Sequence, residues 1–314
     1  MDISVVVPLY NEEESLRELH ERLTAVLSGL GKSYEIVFVD DGSTDGSYRV
    51  LEELHRKDPA HVSAHSFGRN FGKSAALATG FERSAGDVVI TMDADLQDDP
   101  AEIPGMLEAL GRGSDLVCGW KYPRHDPVTK RLPSKVINWL TASLTGVRVH
   151  DMNCGLKAYR RDVVDGLSLY GEQHRFIPAL AHAKGFRVDE LKVRHHPRKF
   201  GSTKFGAKRF VEGVFDLITV LFLTRYIRKP LHFFGVAGLV LLMLGGGAMS
   251  YLVVGWFMGR WIGDRPLFML SVLMMIIGIQ FISTGLLGEM LTSLTHRQGA
   301  APVRRSVTAE KGKA

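Results

Sequence analysis

The sequence predicts an α/β domain built on a mostly parallel sheet, followed by two membrane-spanning helices. Five short apolar, β-branched runs alternate with helical patterns over the first 120 residues, which is the arrangement of a parallel sheet covered by helices. Two long stretches almost free of charge then occupy much of the last third of the chain. The 314 residues suffice for one such domain and an appended membrane unit.

The strands are predicted at the apolar runs themselves. The first, second and fourth runs are continuously apolar, as in strands that are buried on both faces. Helix starts are indicated by two capping signals, Asn11 with Glu14, and Asp99 with Pro100 and Glu102. The predicted strands are Ile3–Leu9, Glu35–Asp40, Val62–Phe67, Asp87–Asp93 and Asp115–Trp120.

The two predicted membrane spans run from Phe233 to Met258 and from Leu267 to Gly288. Each is long enough to cross a hydrocarbon layer of about 30 Å. Basic residues precede the first span and follow the second, so the positive-inside rule places both ends of the chain in the cytoplasm. The chain opens directly on strand-like sequence rather than a signal peptide, so we expect the first domain to be cytoplasmic as well. Glu289 is expected to make a structural or intersubunit contact, and small residues at Gly235, Gly238 and 245–247 would permit close helix contact.

Between the domain and the spans, apolar residues recur at helical spacing from Phe205 to Arg228. The pattern and its basic flanks predict an amphipathic helix at the membrane interface; a core-facing helix of the first domain is the alternative. The expected organisation is a catalytic domain (1–204), a juxtamembrane helix (205–230), two transmembrane helices (231–292) and a basic tail (293–314).

Polar side chains collect where the first four predicted strands end. Open α/β sheets bind ligands at the carboxyl ends of their strands, so four loops should converge on one site. These residues are Tyr10, Asn11, Glu12, Asp40, Asp41, Arg69, Lys73, Asp93 and Asp95.

The stretch DADLQDDP follows a buried strand and carries the sharpest chemical signal. Asp93 and Asp95 can approach one divalent cation together. Such an ion, Mg²⁺ or Mn²⁺, would bridge two phosphates and neutralise the charge that grows on a leaving diphosphate. Asp98 and Asp99 are better explained by the helix cap, although Asp98 could also approach the substrate.

Other polar and sulfur-containing residues are predicted to be structural. Adjacent residues on a strand point to opposite faces, so His195 and His196 do not suggest a shared metal or proton-transfer site. Cys118 and Cys154 have no paired spacing and are expected to be reduced packing residues.

Three segments of the first hundred residues, PLYNEEESL, VDDGSTDGS and DADLQDDP, resemble the family 2 glycosyltransferases of the Rossmann-like nucleotide-diphospho-sugar transferase (GT-A) fold. The resemblance implies a nucleotide-sugar donor and a divalent metal. By motif position, the implied nucleotide-sugar contacts are Pro8, Tyr10, Glu12, Asp40, Asp41, Lys73 and Asp93, and the implied metal residues are Asp93, Asp95 and Gln97.

Downstream, HDMNCGLKAYRRDVV, HRFIPALA, PRKFGSTKFGAKRF and the paired spans ending in GLLGE resemble polyprenyl-phosphate glycosyltransferases. Within that family the match is to bacterial undecaprenyl-phosphate glucosyl and aminoarabinose transferases, and more distantly to dolichol-phosphate mannose synthases. The resemblance implies inverting transfer from a UDP- or GDP-linked sugar to polyprenyl phosphate, contact with membrane lipids, and a homo-oligomer, with a tetramer as one form. It makes Asp151 the catalytic residue, in either a positioning or a proton-accepting role.

The acceptor phosphate should be held by several fixed cations, because it offers little beyond its charge and its tail. Arg198 matches the arginine of the family's R-x-x-G-x-S-K stretch, which reads RKFGSTK here, with Thr203 where serine is usual. The predicted acceptor-phosphate residues are Arg131, Ser134, Arg198 and Lys204.

The sequence gives less support to three other functions. A processive polysaccharide synthase shares the fold, but the chain has no Q-x-x-R-W motif and only two predicted spans. A non-catalytic nucleotide-sugar-binding membrane subunit would be favoured by loss of the acidic or basic motifs, and both are intact. The net charge of +5 permits nucleic-acid binding, but the basic segment lacks interleaved stacking aromatics, and no nucleic-acid partner is expected.

Overall fold

The computed structural model describes residues 1–122, 146–147, 149–171, 173–196, 230–262 and 265–295. The chain divides into two compact units, Met1–Thr224 and Arg225–Ala314. The predicted juxtamembrane helix and four predicted acceptor residues, Arg131, Ser134, Arg198 and Lys204, lie outside the described residues.

The first unit is built on a seven-stranded mixed sheet in the order β3-β2-β1-β4-β6-β5-β7. Neighbouring strands are parallel except at β6, which runs antiparallel to β4 and to β5. The strands are β1 Ile3–Leu9, β2 Tyr34–Asp40, β3 Val62–Ser66, β4 Val88–Thr91, β5 Leu116–Lys121, β6 Lys157–Arg160 and β7 Val188–Val193.

All five predicted strands are present, and the predicted α/β class with a mostly parallel sheet is confirmed. Two further strands were not predicted. β6 has only four residues and both of its ends are basic, and β7 alternates charged with apolar residues at the edge of the sheet. β4 ends at Thr91 rather than at the predicted Asp93, so the acidic motif lies wholly in the following loop.

Helices cover both faces of the sheet and bury two hydrophobic clusters. The alternation within β1 shows the division, because Val5 and Val7 pack with α1, α2 and α4 in one cluster, whereas Val6 packs with α3, α5 and α6 in the other. The helices are α1 Leu16–Gly29, α2 Ser47–Lys57, α3 Lys73–Arg83, α4 Ile103–Gly111, α5 Arg161–Gly166 and α6 Ile177–Ala183, with 3-10 turns at Pro100–Glu102 and Gln173–Phe176.

One of the two predicted helix caps is confirmed. The Asp99 side chain accepts a hydrogen bond from the Ala101 backbone N–H at 3.0 Å and caps the turn before α4. The predicted capping box at Asn11 and Glu14 is wrong, because α1 begins only at Leu16. Asn11 instead has a left-handed backbone, with φ of 54°.

The described part of the second unit is a pair of long apolar helices, α7 Pro230–Phe257 and α8 Pro266–Thr295. The most apolar window of each helix has a mean hydropathy of 2.0 or 2.1, and only 17% and 11% of these windows are buried within the structure. Such low burial argues against core helices of a soluble fold and is typical of lipid-facing ones. The predicted spans therefore coincide with two candidate membrane-spanning helices.

Glycines bring α7 and α8 together within one chain. A Cβ on Gly238 would lie 2.6 Å from the carbonyl oxygen of Gly278, and one on Gly245 would lie 2.9 Å from that of Ser271. Gly246 and Gly247 have nothing within 4 Å of such a Cβ. Glu289 makes an intrachain contact, in which its Oε2 accepts a hydrogen bond from the Leu231 backbone N–H at 3.3 Å.

Candidate functional site

The loops that follow β1 and β2 are tied together by hydrogen bonds. The Asn11 backbone N–H donates to Ser43 Oγ at 2.8 Å, and Asn11 Oδ1 accepts from the Thr44 backbone N–H at 2.8 Å. The Glu12 backbone N–H donates to Ser47 Oγ at 3.0 Å. These hydrogen bonds therefore join the loop after β1 to the loop after β2 and to the first residue of α2. The left-handed backbone of Asn11 lies where the two loops meet.

Asp40, at the end of β2, is buried and bonds to the same group of loops. Its Oδ1 accepts from the Ser43 backbone N–H at 2.9 Å, and its Oδ2 accepts from Ser66 Oγ at 2.8 Å. The two carboxylate oxygens thus join the loop after β2 to the end of β3.

Asp41 fixes the loop that leads into α3. Its carboxylate accepts from the backbone N–H groups of Phe71, at 2.7 Å, and Gly72, at 2.9 Å. Gly72 has φ of 94°, which favours glycine. Burial raises the pKa of Asp41, although these two N–H groups act in the opposite direction.

Lys73, the first residue of α3, forms an ion pair with Asp93 in the loop after β4. Burial opposes the charge on Asp93, but Lys73, with smaller contributions from Lys121 and Lys157, outweighs burial and lowers the pKa of Asp93 to about 2. Gly155 lies directly against this carboxylate, because a Cβ there would be 2.5 Å from Asp93 Cγ. Asp93 is therefore ionised at neutral pH and tightly confined.

The turn after Asp93 is strained and internally bonded. Leu96 is buried and has φ of 60°, which is costly for a side chain that is not glycine. Asp95 Oδ1 accepts from the Gln97 backbone N–H at 3.2 Å, and the Gln97 carbonyl accepts from the His196 backbone N–H at 2.9 Å.

The donor set fits a metal that is shared with a substrate. Among the described residues, no group of three or more His, Cys, Asp or Glu side chains could hold a metal alone. Asp93 and Asp95 supply hard carboxylate oxygens, and Mg²⁺ is commonly held by one or two carboxylates together with substrate phosphates. The chemistry of these two carboxylates therefore fits such a shared site.

Asp98 and Lys121 form a buried ion pair beside this loop. Lys121 Nζ lies 3.6 Å from Asp98 Oδ1, and His195 Nδ1 lies 4.0 Å from the same oxygen. Burial raises the pKa of Asp98. Burial lowers the pKa of Lys121, but the carboxylates of Asp98, Asp93 and Asp151 outweigh it and raise the pKa above its ordinary value.

His195 and His196 face different partners, as the sequence predicted. His196 Nε2 lies 3.1 Å from Asp99 Oδ2, whereas His195 faces Asp98. Cys118 and Cys154 are buried free thiols, and burial raises the pKa of both.

Asp151 lies in the turn that leads into β6. It is only 2% exposed, and its Oδ1 accepts from the Asn153 backbone N–H at 3.2 Å. Asn153 lines a small cavity together with Lys73, Asp93, Lys157 and His174. The candidate acceptor-side turn therefore adjoins the acidic loop.

Two buried polar residues under the site complete this cavity. Lys157, on β6, donates a hydrogen bond to the Cys154 carbonyl. His174 Nδ1 lies 3.0 Å from Ser74 Oγ, and burial lowers the pKa of His174 to about 2, so that the imidazole is neutral. Ser74 belongs to α3, and this contact fixes the end of the helix that carries Lys73.

The structure therefore brings Asp41, Lys73, Asp93, Asp95 and Gln97 to one edge of the sheet. Pro8 is buried in β1 beyond the last residue that pairs with β4, so its missing N–H costs no ladder hydrogen bond on that side. Tyr10 and Glu12 follow in the next loop. The roles of these residues and of Asp151 stay predictions.

Three residues of the site were missed. Lys121 directly follows the last predicted strand, so the rule that collected polar residues at the ends of the first four strands would have found it at the fifth. Lys157 lies on a strand that was not predicted. His174 stands in a segment that was noted only for its family resemblance.

The chain belongs to glycosyl transferase family 2, whose model matches residues 4–167. The fold is that of the GT-A class. A glucosyl-3-phosphoglycerate synthase from Mycobacterium tuberculosis, solved with Mn²⁺, uridine diphosphate and phosphoglyceric acid, superposes with a TM-score of 0.55 at 20% identity, over 71% of this chain and 78% of that one.

Two relatives match nearly the whole chain. The dodecaprenyl-phosphate galacturonate synthase of Rhizobium johnstonii is 38% identical, over 96% of this chain and 91% of its own length. The undecaprenyl-phosphate 4-deoxy-4-formamido-L-arabinose transferase of Pseudomonas fluorescens is 41% identical, over 92% of this chain and 84% of its own. The predicted resemblance to polyprenyl-phosphate glycosyltransferases is confirmed.

Proposed function

We propose that this chain transfers a sugar from a nucleotide-sugar to a polyprenyl phosphate at the cytoplasmic face of a membrane. The observation that carries the proposal is the match to relatives whose names share a polyprenyl phosphate but differ in the sugar. Both relatives cover the domain and the paired apolar helices together. The lipid phosphate is therefore the common feature, and the sugar is the variable one.

The donor binds at the carboxyl edge of the sheet. Asp41, Tyr10 and Glu12 contact the nucleoside, and Lys73 supplies a cation for the diphosphate. Asp93, Asp95 and Gln97 would hold Mg²⁺ or Mn²⁺, and the metal would supply positive charge that stabilises the leaving diphosphate.

In the transfer step, a lipid phosphate oxygen forms a bond to the anomeric carbon as the bond from that carbon to the diphosphate oxygen breaks. The nucleoside diphosphate leaves with the bonding electrons, and the configuration inverts. A phosphate with a second pKa of about 6 is mostly dianionic at neutral pH, so no strong general base is required. Asp151 orients the reacting groups from its bonded position in the turn before β6.

The acceptor phosphate is held by Arg131, Ser134, Arg198 and Lys204. Residues 1–204 form the catalytic domain, 205–230 a juxtamembrane helix, 231–292 the two spans and 293–314 a basic tail, with both termini in the cytoplasm. The proposal also holds that the chain forms a homo-oligomer. The mass of the full chain in lipid nanodiscs tests this, and a monomeric mass would contradict the homo-oligomer.

The test of function is transfer of radiolabel from a panel of UDP- and GDP-sugars to undecaprenyl phosphate. The full chain is assayed with Mg²⁺, with Mn²⁺ and with a chelator. We expect one donor to label the lipid only when the metal is present. No labelling from any donor would contradict the proposal.

Asp95→Asn and Asp99→Asn provide a matched pair for this assay. The first removes a charge from the predicted metal site and should lower turnover at least about 100-fold, since a metal supplies several kcal/mol of transition-state stabilisation. The second keeps an oxygen that can accept the capping bond from Ala101, so turnover should stay within about threefold. Equal losses in the two variants would contradict the assignment of the metal site.

A further inference from the structure

The loop between β3 and α3 carries an exposed aromatic ring at the donor edge of the sheet. Phe71 is 57% exposed. Among the described residues of the first unit, the other large apolar side chains with such exposure are Met1, Tyr48, Tyr122 and Tyr170. Scattered exposure of this kind is ordinary, so the meaning of Phe71 depends on how its loop is built and what stands beside it.

The Phe71 loop is held rigidly from below. Asp41 accepts hydrogen bonds from the backbone N–H groups of both Phe71 and Gly72. Gly42 has φ of 72°, and a Cβ there would collide with the backbone of Arg69. The chain after β2 therefore presses directly on this loop, and the backbone under the Phe71 ring is fixed before any ligand arrives.

The ring itself is supported by two neighbours of the same loop. Phe67 meets it edge to face, with centroids 5.6 Å apart and an interplanar angle of 86°. The Arg69 guanidinium carbon lies 4.7 Å from the ring centroid. These contacts hold a flat π surface in place while most of the residue stays accessible to solvent.

The neighbours of this surface identify the ligand. Lys73, two residues further on, forms an ion pair with Asp93 and lies at the proposed diphosphate site. Asp41, which anchors Phe71, is the residue proposed to contact the nucleoside. A flat ring next to a guanidinium, followed by an ammonium, suits a molecule with a heteroaromatic base at one end and phosphates at the other.

We propose that Phe71 stacks on the nucleobase of the donor, with Arg69 and Phe67 holding its ring in position. This inference rests on the proposed function, since the ligand is the nucleoside diphosphate part of the nucleotide-sugar. Stacking on an aromatic side chain accepts any base, so Phe71 contributes affinity, and selection between bases falls to hydrogen-bonding groups such as Asp41.

The experiment is calorimetric titration of the full chain in lipid nanodiscs with UDP, GDP and inorganic diphosphate, each in the presence of Mg²⁺. Loss of stacking on one base weakens binding about 5- to 150-fold. We therefore expect Phe71→Ala to weaken the binding of the preferred nucleotide about fivefold or more, and Phe71→Tyr to stay within about threefold of wild type. Inorganic diphosphate has no base, so its affinity should be the same in all three proteins.

Tyr170→Ala is the matched control, because Tyr170 is 56% exposed and has no part in the proposed donor site. It should bind the nucleotide as wild type does. Unchanged nucleotide affinity in Phe71→Ala would overturn the stacking role and leave the proposed function standing. Equal losses for nucleotide and inorganic diphosphate would also overturn it, since Phe71 would then act through the loop that carries Lys73. A wild-type chain that binds neither nucleotide would overturn both proposals.

Discussion

Gly155 offers a way to disturb the acidic loop without removing a polar group. The residue lies against Asp93, and a Cβ added to it would be 2.5 Å from both Cγ and Oδ2 of that carboxylate. We predict that Gly155→Ala folds but loses most of its transfer activity.

The size of the effect follows from the distances. Ordinary contacts of a Cβ begin at 3.4 Å, so the carboxylate and the new methyl group must separate by a further 0.9 Å. The backbone beneath cannot easily yield, because the Gly155 carbonyl accepts from Thr91 Oγ1 at 2.8 Å and the strands on either side are paired. The Asp93 carboxylate must therefore shift, and the shift disturbs its ion pair with Lys73. A displacement of about 1 Å at a reacting centre can lower the rate about 100-fold, and overpacking costs about 1–3 kcal/mol of stability.

The assay is kcat/KM for sugar transfer by the full chain, beside its thermal unfolding. Gly29→Ala is the control, because Gly29 ends α1 and has nothing within 4 Å of an added Cβ. We expect a loss of about 100-fold in Gly155→Ala and wild-type activity in Gly29→Ala. A folded Gly155→Ala protein that keeps a third or more of wild-type kcat/KM would refute the importance of the Asp93 position.

Three further predictions concern other parts of the chain. His174 stays neutral when folded, whereas the unfolded chain takes up its proton below about pH 6.5. Relative to His174→Gln, the unfolding free energy of wild type should therefore fall by up to about 1.4 kcal/mol per pH unit as pH drops below 6.5; equal pH slopes in chemical denaturation would contradict this. Asp95→Asn should lower kcat more than Asp151→Asn, because the metal stabilises leaving-group charge whereas a dianionic acceptor needs no strong base; the reverse ranking would refute this division of roles. Glu289→Ala should be less stable than Glu289→Gln by about 1 kcal/mol in detergent, since only the glutamine keeps an acceptor for the Leu231 N–H; equal melting temperatures would contradict that contact.

The strands could be predicted where burial on both faces requires a continuous run of apolar residues. β1 was predicted to the residue, because a strand covered by helices on both faces is apolar throughout. β6 and β7 were not predicted, because they are strands through their position in the sheet and not through a local sequence pattern. β6 is short and is inserted between β4 and β5, and the charged residues of β7 are tolerated at an edge.

The site was predictable in its positions but not in its bonding. The rule that ligands bind at the carboxyl ends of strands located Asp41, Lys73 and Asp93. It could not show that both oxygens of Asp40 accept hydrogen bonds within the protein, from Ser43 in the next loop and from Ser66 at the end of β3. Nor could local sequence show that Asn11 links two loops instead of capping a helix, because that choice depends on Ser43 and Thr44, more than 30 residues away.

The ion pairs of the site resolve a conflict within the proposed chemistry. A site that binds a metal needs carboxylates, yet its substrates are two phosphate-bearing anions that carboxylates repel. Lys73 pairs with Asp93, and Lys121 pairs with Asp98, so two of the acidic groups near the cavity have a cation beside them before substrate arrives. Lys121 has a second consequence, because Asp93 and Asp151 also raise its pKa. The buried ammonium of Lys121 is thus stabilised by carboxylates of both the loop after β4 and the turn that carries Asp151.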